Sequence, residues 1–114
     1  MQVQGLYAAV YVGDMQHASA FYARLLGREP DDKPFDTLVQ WRFAGAKGIQ
    51  LFQDAAKAGR GVMTIVVPDL EALKAALSGE GIAVGDFKEG NFGKIAHVTD
   101  PDGNVVTLAE PPKA

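Results

Sequence analysis

The sequence predicts an α+β fold built from two similar halves. An apolar run closes and a helical pattern opens at Val12-Gly13-Asp14-Met15, and the same happens half a chain later at Val67-Pro68-Asp69-Leu70. Strand-like runs follow each helical pattern. The last run of the first set contains Ile49-Gln50-Leu51-Phe52, and the last run of the second set contains Val105-Val106-Thr107-Leu108. Two strand–helix–strands units of this kind predict two half-shells around a shared cleft.

Composition places the chain among globular proteins and excludes several functions. Its 114 residues, 47% hydrophobic and 22% charged, predict one domain over 1–114, with halves at about 5–53 and 60–110. A formal charge of −3 and single, scattered basic residues argue against nucleic acid as a partner. The absence of cysteine excludes disulfides and thiolate metal sites. With no signal-like N-terminus and no apolar run of ~20 residues, we expect a cytoplasmic protein without membrane contact.

The first half opens with a strand at Leu6 to Val12, in which Tyr7, Ala9 and Tyr11 share one face. Asp14 is suited to cap the following helix, because its carboxylate can accept from the free N–H groups of the first turn. The apolar stripe of that helix consists of Ala18, Phe21, Tyr22, Leu25 and Leu26, and Gly27 ends it.

The remainder of the first half is predicted to be mostly strand. Residues 29–36 hold two prolines and five charges, which indicates a loop or a poor edge strand. Thr37 to Phe43 and Lys47 to Gln53 are predicted strands, joined by a hairpin connection at 44–46. Small and polar residues at 54–60 join the two halves.

The second half repeats this order. Val62 to Val67 is a β-branched strand, and Asp69 precedes a helix whose stripe is Leu70, Leu73, Ala76 and Leu77 and which ends at Gly79 and Gly81. Ile82 to Val84 is a short strand candidate, and residues 85–93 are predicted to be a mobile, flap-like loop. Residues 95–99 and 105–110 are predicted to form a hairpin around the turn residues 100–104.

Two motifs are similar to those of a known superfamily. Val-Gly-Asp-Met-Gln-His-Ala-Ser-Ala-Phe-Tyr-Ala-Arg-Leu-Leu-Gly at 12–27 resembles the helix opening of the vicinal oxygen chelate superfamily, which includes glyoxalase I, bleomycin-resistance proteins and extradiol dioxygenases. Thr-Asp-Pro-Asp-Gly-Asn-Val-Val-Thr-Leu at 99–108 resembles its closing hairpin. The resemblance implies the glyoxalase/bleomycin resistance/dioxygenase-like fold, in which paired βαβββ modules form a U-shaped cleft that is commonly completed in a homodimer.

The same resemblance implies four positions for metal ligands. Metal-dependent members place one His, Glu or Gln on each of four strands, and the matching positions here are Tyr7, Gln50, Val62 and Thr107. Only Gln50 is a residue type that the family uses as a ligand, and Val62 has no lone pair. Because the four side chains carry no negative charge to offset the desolvation of a divalent cation, we expect no metal and no other cofactor.

Two groups of polar residues each allow two interpretations. His97 shares a strand face with Ile95 and Thr99, and it is a candidate catalytic base or ligand anchor, or else a wall of the pocket. Tyr7 and Gln50 would hydrogen-bond a polar group of a ligand, or would bond each other in place of the metal.

Aromatic side chains are candidates for a stacking pocket around a planar ligand. The candidates are Tyr11, Phe35, Trp41, Phe52, Phe87 and Phe92. Ordinary core packing is the competing interpretation for each one. Phe87 and Phe92 lie in a glycine-rich, charged segment where no core is expected.

The predicted function is binding of a small apolar or aromatic molecule without chemistry, which resembles the bleomycin-resistance branch. Stacking would come from the aromatic residues, and directional hydrogen bonds from Tyr7, Gln50, His97 and Thr107. One alternative is a lyase, isomerase or dioxygenase-type enzyme, either metal-free through His97 or with a metal at ligands not recognised in the sequence. Another is a degenerate relative whose cleft has collapsed.

Overall fold

The computed structural model describes residues 1–113. The first half consists of β1 (Leu6–Val12), α1 (Met15–Leu26), β2 (Asp32–Phe35), β3 (Leu38–Phe43) and β4 (Lys47–Gln53). The second half consists of β5 (Val62–Val66), α2 (Leu70–Gly79), β6 (Lys88–Gly90), β7 (Gly93–Thr99) and β8 (Val105–Glu110). Both halves therefore have the order βαβββ, and the predicted α+β fold class is confirmed.

The two halves form sheets with equivalent strand orders. The first sheet has the order β1-β4-β3-β2 and the second the order β5-β8-β7-β6. In each sheet the first strand pairs in parallel with the last strand, and the remaining pairs are antiparallel. The hairpins follow from short turns, whereas the parallel pairs join strands that are distant in sequence.

Both helices begin as the sequence predicts, and each receives a second acceptor from the sheet. The carboxylates of Asp14 and Asp69 each accept a backbone N–H three residues on, at 3.0 Å. Gln53 at the end of β4 accepts from Met15 N at 2.9 Å, and Glu110 at the end of β8 accepts from Leu70 N at 2.8 Å. The two modules therefore anchor their helices to their last strands in the same way.

The helices and one face of each sheet enclose the core. The buried cluster includes Val10, Val12, Leu51, Met63, Val106 and Leu108 from the strands, together with Tyr22, Leu25, Leu70 and Leu77 from the helices. Because strand side chains alternate, the residues between these point to the opposite side of each sheet. We call that helix-free side, with Tyr7, Tyr11, Gln50, Val62 and Thr107 on it, the open face.

Asn104 joins the two halves. It is fully buried, its side-chain nitrogen donates to Tyr11 O and to Asp100 Oδ2, both at 2.8 Å, and its side-chain oxygen accepts from Gly61 N at 2.8 Å. Asp102 Oδ1 accepts from Gly13 N at 3.0 Å. The turn that closes β7 onto β8 therefore holds the end of β1 beside the start of β5.

The structure corrects two predictions in the second half. Ile82–Val84 is not a strand: Ile82 is buried in the core and the segment has no ladder partner. The segment predicted as a loop, 85–93, contains β6, which pairs with β7 through Lys88–Ile95 and Glu89–Lys94. Pairing with β7 explains the second outcome, because three charged or glycine residues carry no strand signal of their own. Burial of Ile82 in the core accompanies the first.

Candidate ligand-binding site

The open face of the first sheet is arranged in rows that follow the strand register. Residues directly opposite each other on neighbouring strands share a face, so each row crosses the sheet. One row contains Phe35, Leu38, Phe52 and Tyr11, and the next contains Asp32, Gln40, Gln50 and Ala9. A third contains Arg42, Gly48 and Tyr7. A polar row thus lies between an aromatic row and Tyr7.

Tyr11 and Phe52 form an aromatic pair on this face. Their ring centroids are 6.1 Å apart with a tilt of 51°, which is a favourable separation for an aromatic contact. Nζ of Lys57 lies 5.0 Å from the Tyr11 ring centroid, and the Tyr11 side chain remains 40% exposed. Leu38 is buried beside them without belonging to the core on the helix side. The row therefore provides a partly open apolar surface.

Gln40 and Gln50 form the centre of the polar row. Nε2 of Gln50 donates to Oε1 of Gln40 at 3.0 Å, and both side chains are half-buried. At the outer end of the row, Asp32 Oδ2 pairs with Arg42 Nε at 3.3 Å, whereas Asp32 Oδ1 is buried and has no hydrogen-bond partner among residues 1–113. The neighbouring Asp31 belongs to the strand connection, where the backbone N–H of Arg42 holds the pKa of its carboxyl below the ordinary value.

Tyr7 lies over Gly48 on the neighbouring strand. A Cβ placed on Gly48 would be 2.7 Å from Cε2 of Tyr7 and 2.4 Å from the Trp41 carbonyl oxygen, so only glycine leaves room for the ring. The hydrogen bond between Tyr7 and Gln50, considered as one interpretation of the sequence, is wrong: Gln50 bonds Gln40 instead. Tyr7 remains 37% exposed on the open face.

The second sheet contributes mainly aliphatic and hydroxyl side chains to the open face. Thr64, Thr107 and His97 are directly opposite one another on β5, β8 and β7, and His97 is exposed. On β5, Val62 is 75% and Val66 66% exposed, which is unusual for β-branched residues of a strand. Hence His97 and Thr107 share a row through the register of β7 and β8.

Two of the candidate aromatic residues, Trp41 and Phe87, lie outside this surface. Trp41 is completely buried on the helix side, where its Nε1 donates to Arg28 O at 2.9 Å and its ring packs against Tyr22. Phe87 packs on the core, with Nζ of Lys74 5.0 Å from its ring centroid. Phe92 is exposed at the β6–β7 turn, close to Gly90.

The prediction that Trp41 and Phe87 line the cleft is therefore wrong. Strand alternation explains the first error, because Gln40 and Arg42 occupy the open face and Trp41 must face the helix. The second error arises because Phe87 belongs to the segment after α2, which packs on the core. Gln40 was missed, although its place between two apolar residues of a strand could have indicated it.

The four positions implied for metal ligands do lie on the open face, one on each of β1, β4, β5 and β8. Their side chains do not fit a divalent cation, because Val62 has no donor atom and no carboxylate or imidazole replaces it. Among residues 1–113 no three His, Cys, Asp or Glu side chains are grouped so that they could hold a metal. We derive no chemistry through a metal at these positions.

Two surface depressions are not lined by Tyr7, Tyr11, Gln50, Val62 or Thr107. One is bordered by the β6–β7 hairpin and residues 110–113, and the other by the C-terminal end of α1 and Glu80. Within the described part of the chain, no helix is long and apolar enough to cross a membrane.

The fold agrees with what is found among known proteins. The model of the Glyoxalase/Bleomycin resistance protein/Dioxygenase superfamily matches residues 6–108, and the chain belongs to this superfamily. The predicted resemblance is thereby confirmed. No curated protein matches the chain significantly.

Several solved structures are similar to nearly the whole chain. A glyoxalase/bleomycin resistance protein from Catenulispora acidiphila is 30% identical with a TM-score of 0.87, covering 96% of this chain and 100% of its own. TnmS3, an antibiotic binding protein from a Streptomyces species, is 27% identical with a TM-score of 0.81, covering 98% and 97%. A lactoylglutathione lyase from Agrobacterium tumefaciens, 24% identical with a TM-score of 0.76 and covering 92% and 91%, shares the fold.

Proposed function

We propose that the protein binds a small, largely apolar or aromatic molecule on its open face and performs no metal-dependent chemistry on it. The observation that carries this proposal is the partly exposed Tyr11–Phe52 pair, which adjoins the polar row of Gln40 and Gln50. Apolar surface with a few placed hydrogen-bonding groups is typical of small-molecule sites. The 27% identical relative described as an antibiotic binding protein supports the same interpretation.

A second copy of the chain is proposed to cover the open face. Val62 and Val66 expose 75% and 66% of their surface there. Covering such β-branched side chains would remove apolar surface from water and would give the ligand a second wall. Sedimentation velocity should report a dimer, and Val66→Arg should yield a folded monomer. A wild-type monomer at about 100 µM would contradict this part of the proposal.

Ligand binding is tested by thermal unfolding and calorimetric titration with a panel of planar drugs and metabolites. A ligand present at 100 times its dissociation constant should stabilise the protein by about 2.7 kcal/mol. Phe52→Ala should weaken binding about tenfold, because it removes one ring of the pair. Phe43→Ala, which removes a half-buried ring that packs on the helix side, is the matched control. If no member of the panel binds, the proposal fails and a collapsed site is favoured.

The alternative is a metal-free enzyme in which His97 acts as a base. It is supported by the exposure of His97 in the row that also holds Thr107 and Thr64. His97→Ala distinguishes the two functions, because a binding protein loses at most the affinity of one hydrogen bond, about tenfold, whereas an enzyme loses turnover by about 10²-fold or more. Metal analysis of protein purified without chelator provides a separate check: near-stoichiometric nickel, zinc, iron or manganese would contradict the binding function proposed above.

A further inference from the structure

The Gln40–Gln50 pair has hydrogen-bonding capacity that the protein does not use. The two residues are directly opposite each other on β3 and β4, and one hydrogen bond of 3.0 Å joins Gln50 Nε2 to Gln40 Oε1. Each glutamine amide has two N–H donors and a carbonyl oxygen. Hence Nε2 of Gln40 and Oε1 of Gln50 have no protein partner within residues 1–113. The pair presents one free donor end and one free acceptor end.

The bond between the two amides limits how they can turn. If only one of the two amides rotated by half a turn, two NH2 groups or two carbonyl oxygens would face each other, and the 3.0 Å hydrogen bond would be lost. Half-burial raises the penalty for leaving these groups unpaired when a ligand covers them. A ligand that lies on this row is therefore favoured when it carries both an acceptor and a donor along one edge.

The charges beside this row compensate each other. Oδ2 of Asp32 pairs with Arg42 at 3.3 Å, although Oδ1 of Asp32 has no hydrogen-bond partner within residues 1–113. Lys57, beside Tyr11, is paired with Asp54 at 4.0 Å, so each charge near the row has a counter-charge. On either side of the amides are the Tyr11–Phe52 pair and the ring of Tyr7 over Gly48. This arrangement favours a flat, uncharged molecule, because a charged ligand would lose hydration without gaining an ion pair.

We propose that Gln40 and Gln50 are specificity-determining residues that select neutral planar ligands carrying a hydrogen-bond acceptor and donor on one edge, as in an aromatic lactam. This inference rests on the proposed binding function and names the ligand chemistry of that same site. It assigns Gln50 a new partner and a new role at a position where other members of the superfamily hold a metal ligand.

The test compares three probes of similar size by calorimetric titration. Phenanthridinone is a neutral tricyclic lactam with both groups, N-methylphenanthridinone lacks the donor, and phenanthrene carboxylate is an anion. We expect the lactam to bind about tenfold more tightly than each of the other two. In Gln50→Leu the ratio between lactam and N-methyl lactam should fall to about one, while the N-methyl probe keeps its affinity. Gln16→Leu, on the exposed side of α1, is the matched control and should keep the wild-type ratio.

The outcomes separate this inference from the function on which it rests. Equal affinities of the lactam and its N-methyl form overturn the role of the amides, although binding itself would stand. A preference that persists in Gln50→Leu and in the second variant, Gln40→Leu, also overturns it, because the methyl group would then act by steric exclusion. Binding of none of the three probes would contradict both proposals.

Discussion

The hydroxyl of Tyr22 donates a hydrogen bond of 2.9 Å to Oδ2 of Asp100, although 78 residues separate the two in the sequence. Both side chains are buried, and Asp100 also accepts from the backbone N–H groups of Asp102 and Asn104 at 2.9 Å. This contact ties α1 of the first half to the β7–β8 turn of the second. A buried carboxylate is tolerated because each of its oxygens has a donor.

Tyr22→Phe should lower the free energy of unfolding by about 1–3 kcal/mol, because Asp100 loses a buried donor while the ring packing is kept. Urea denaturation measures this difference. Tyr11→Phe, which removes a hydroxyl at a half-exposed position, should change the free energy of unfolding by less than about 0.5 kcal/mol. Equal stability of Tyr22→Phe and the wild type would show that the contact contributes nothing.

The same residue predicts a loss of stability in alkali. Burial, followed by the charge of Asp100, raises the pKa of Tyr22 well above its ordinary value. The neutral phenol therefore stabilises the fold fully below the unfolded pKa of about 10, and this contribution is lost as the pH rises further. Above pH 10 the wild type should lose up to about 1.4 kcal/mol per pH unit relative to Tyr22→Phe in urea titrations. Parallel pH profiles of the two proteins would contradict this.

Glu110 is expected to stabilise the start of α2 through a hydrogen bond rather than through its charge. Its Oε1 accepts from Leu70 N at 2.8 Å, and the equivalent position in the first half is Gln53. Glu110→Gln should therefore cost less than about 1 kcal/mol, whereas Glu110→Ala should cost about 1–3 kcal/mol by leaving a buried N–H unpaired. Glu71→Ala, an exposed acidic residue in the same first turn, is the control. If Glu110→Gln and Glu110→Ala are equally unstable in urea denaturation, the negative charge of Glu110 matters more than its hydrogen bond.

Glycine is required at position 48 but not at position 79. A Cβ on Gly48 would be 2.4 Å from the Trp41 carbonyl oxygen and 2.7 Å from Tyr7, whereas one on Gly79 meets nothing within 4 Å. Gly48→Ala should destabilise the protein by about 1–3 kcal/mol and displace Tyr7. Gly79→Ala, at the end of α2, should be neutral or stabilising by up to about 1 kcal/mol. Thermal unfolding of both variants decides this, and a neutral Gly48→Ala would disprove the close contact.

Trp41 should contribute to stability and not to ligand binding. As the chain's single tryptophan, completely buried, it should be shielded from acrylamide quenching until the protein unfolds. Trp41→Phe should reduce the free energy of unfolding by about 1–3 kcal/mol, through a smaller ring and the lost bond to Arg28 O. Its affinity for a planar ligand should stay within about twofold of the wild type. A tenfold loss of affinity without a loss of stability would show that Trp41 contributes to ligand binding.

Patterns local in sequence predicted the framework well. Asp14 and Asp69 cap their helices, Gly27 ends α1 with a φ of 75°, and β4 spans the predicted residues Lys47–Gln53. Such features depend on a few neighbouring residues and their periodicity. The edge strand β2 was recognised only as a weak possibility, because proline and charges also suit a loop.

The site was predicted less completely, because its residues are brought together by pairing between distant strands. Tyr7, Gln50, Val62 and Thr107 do lie on one face, as the resemblance to the superfamily implied. Gln40, however, becomes a partner of Gln50 only through the β3–β4 register, and the same register turns Trp41 towards α1. A shift of one residue would exchange the two faces, and within β3 only the alternation of polar and apolar residues indicates which face each one takes.

By itself the sequence determined the repeated strand–helix–strands order, the helix ends and the residue types at the four positions that the resemblance marks, since these depend on residue type and short-range periodicity. Tertiary structure alone decided which face of each strand is open, which aromatic residues belong to the core, and how Asn104 and Tyr22 join the halves. The physical reason is that register and burial result from contacts between residues up to 93 positions apart. No local segment contains both partners of such a contact, so its free energy cannot be inferred from local sequence patterns.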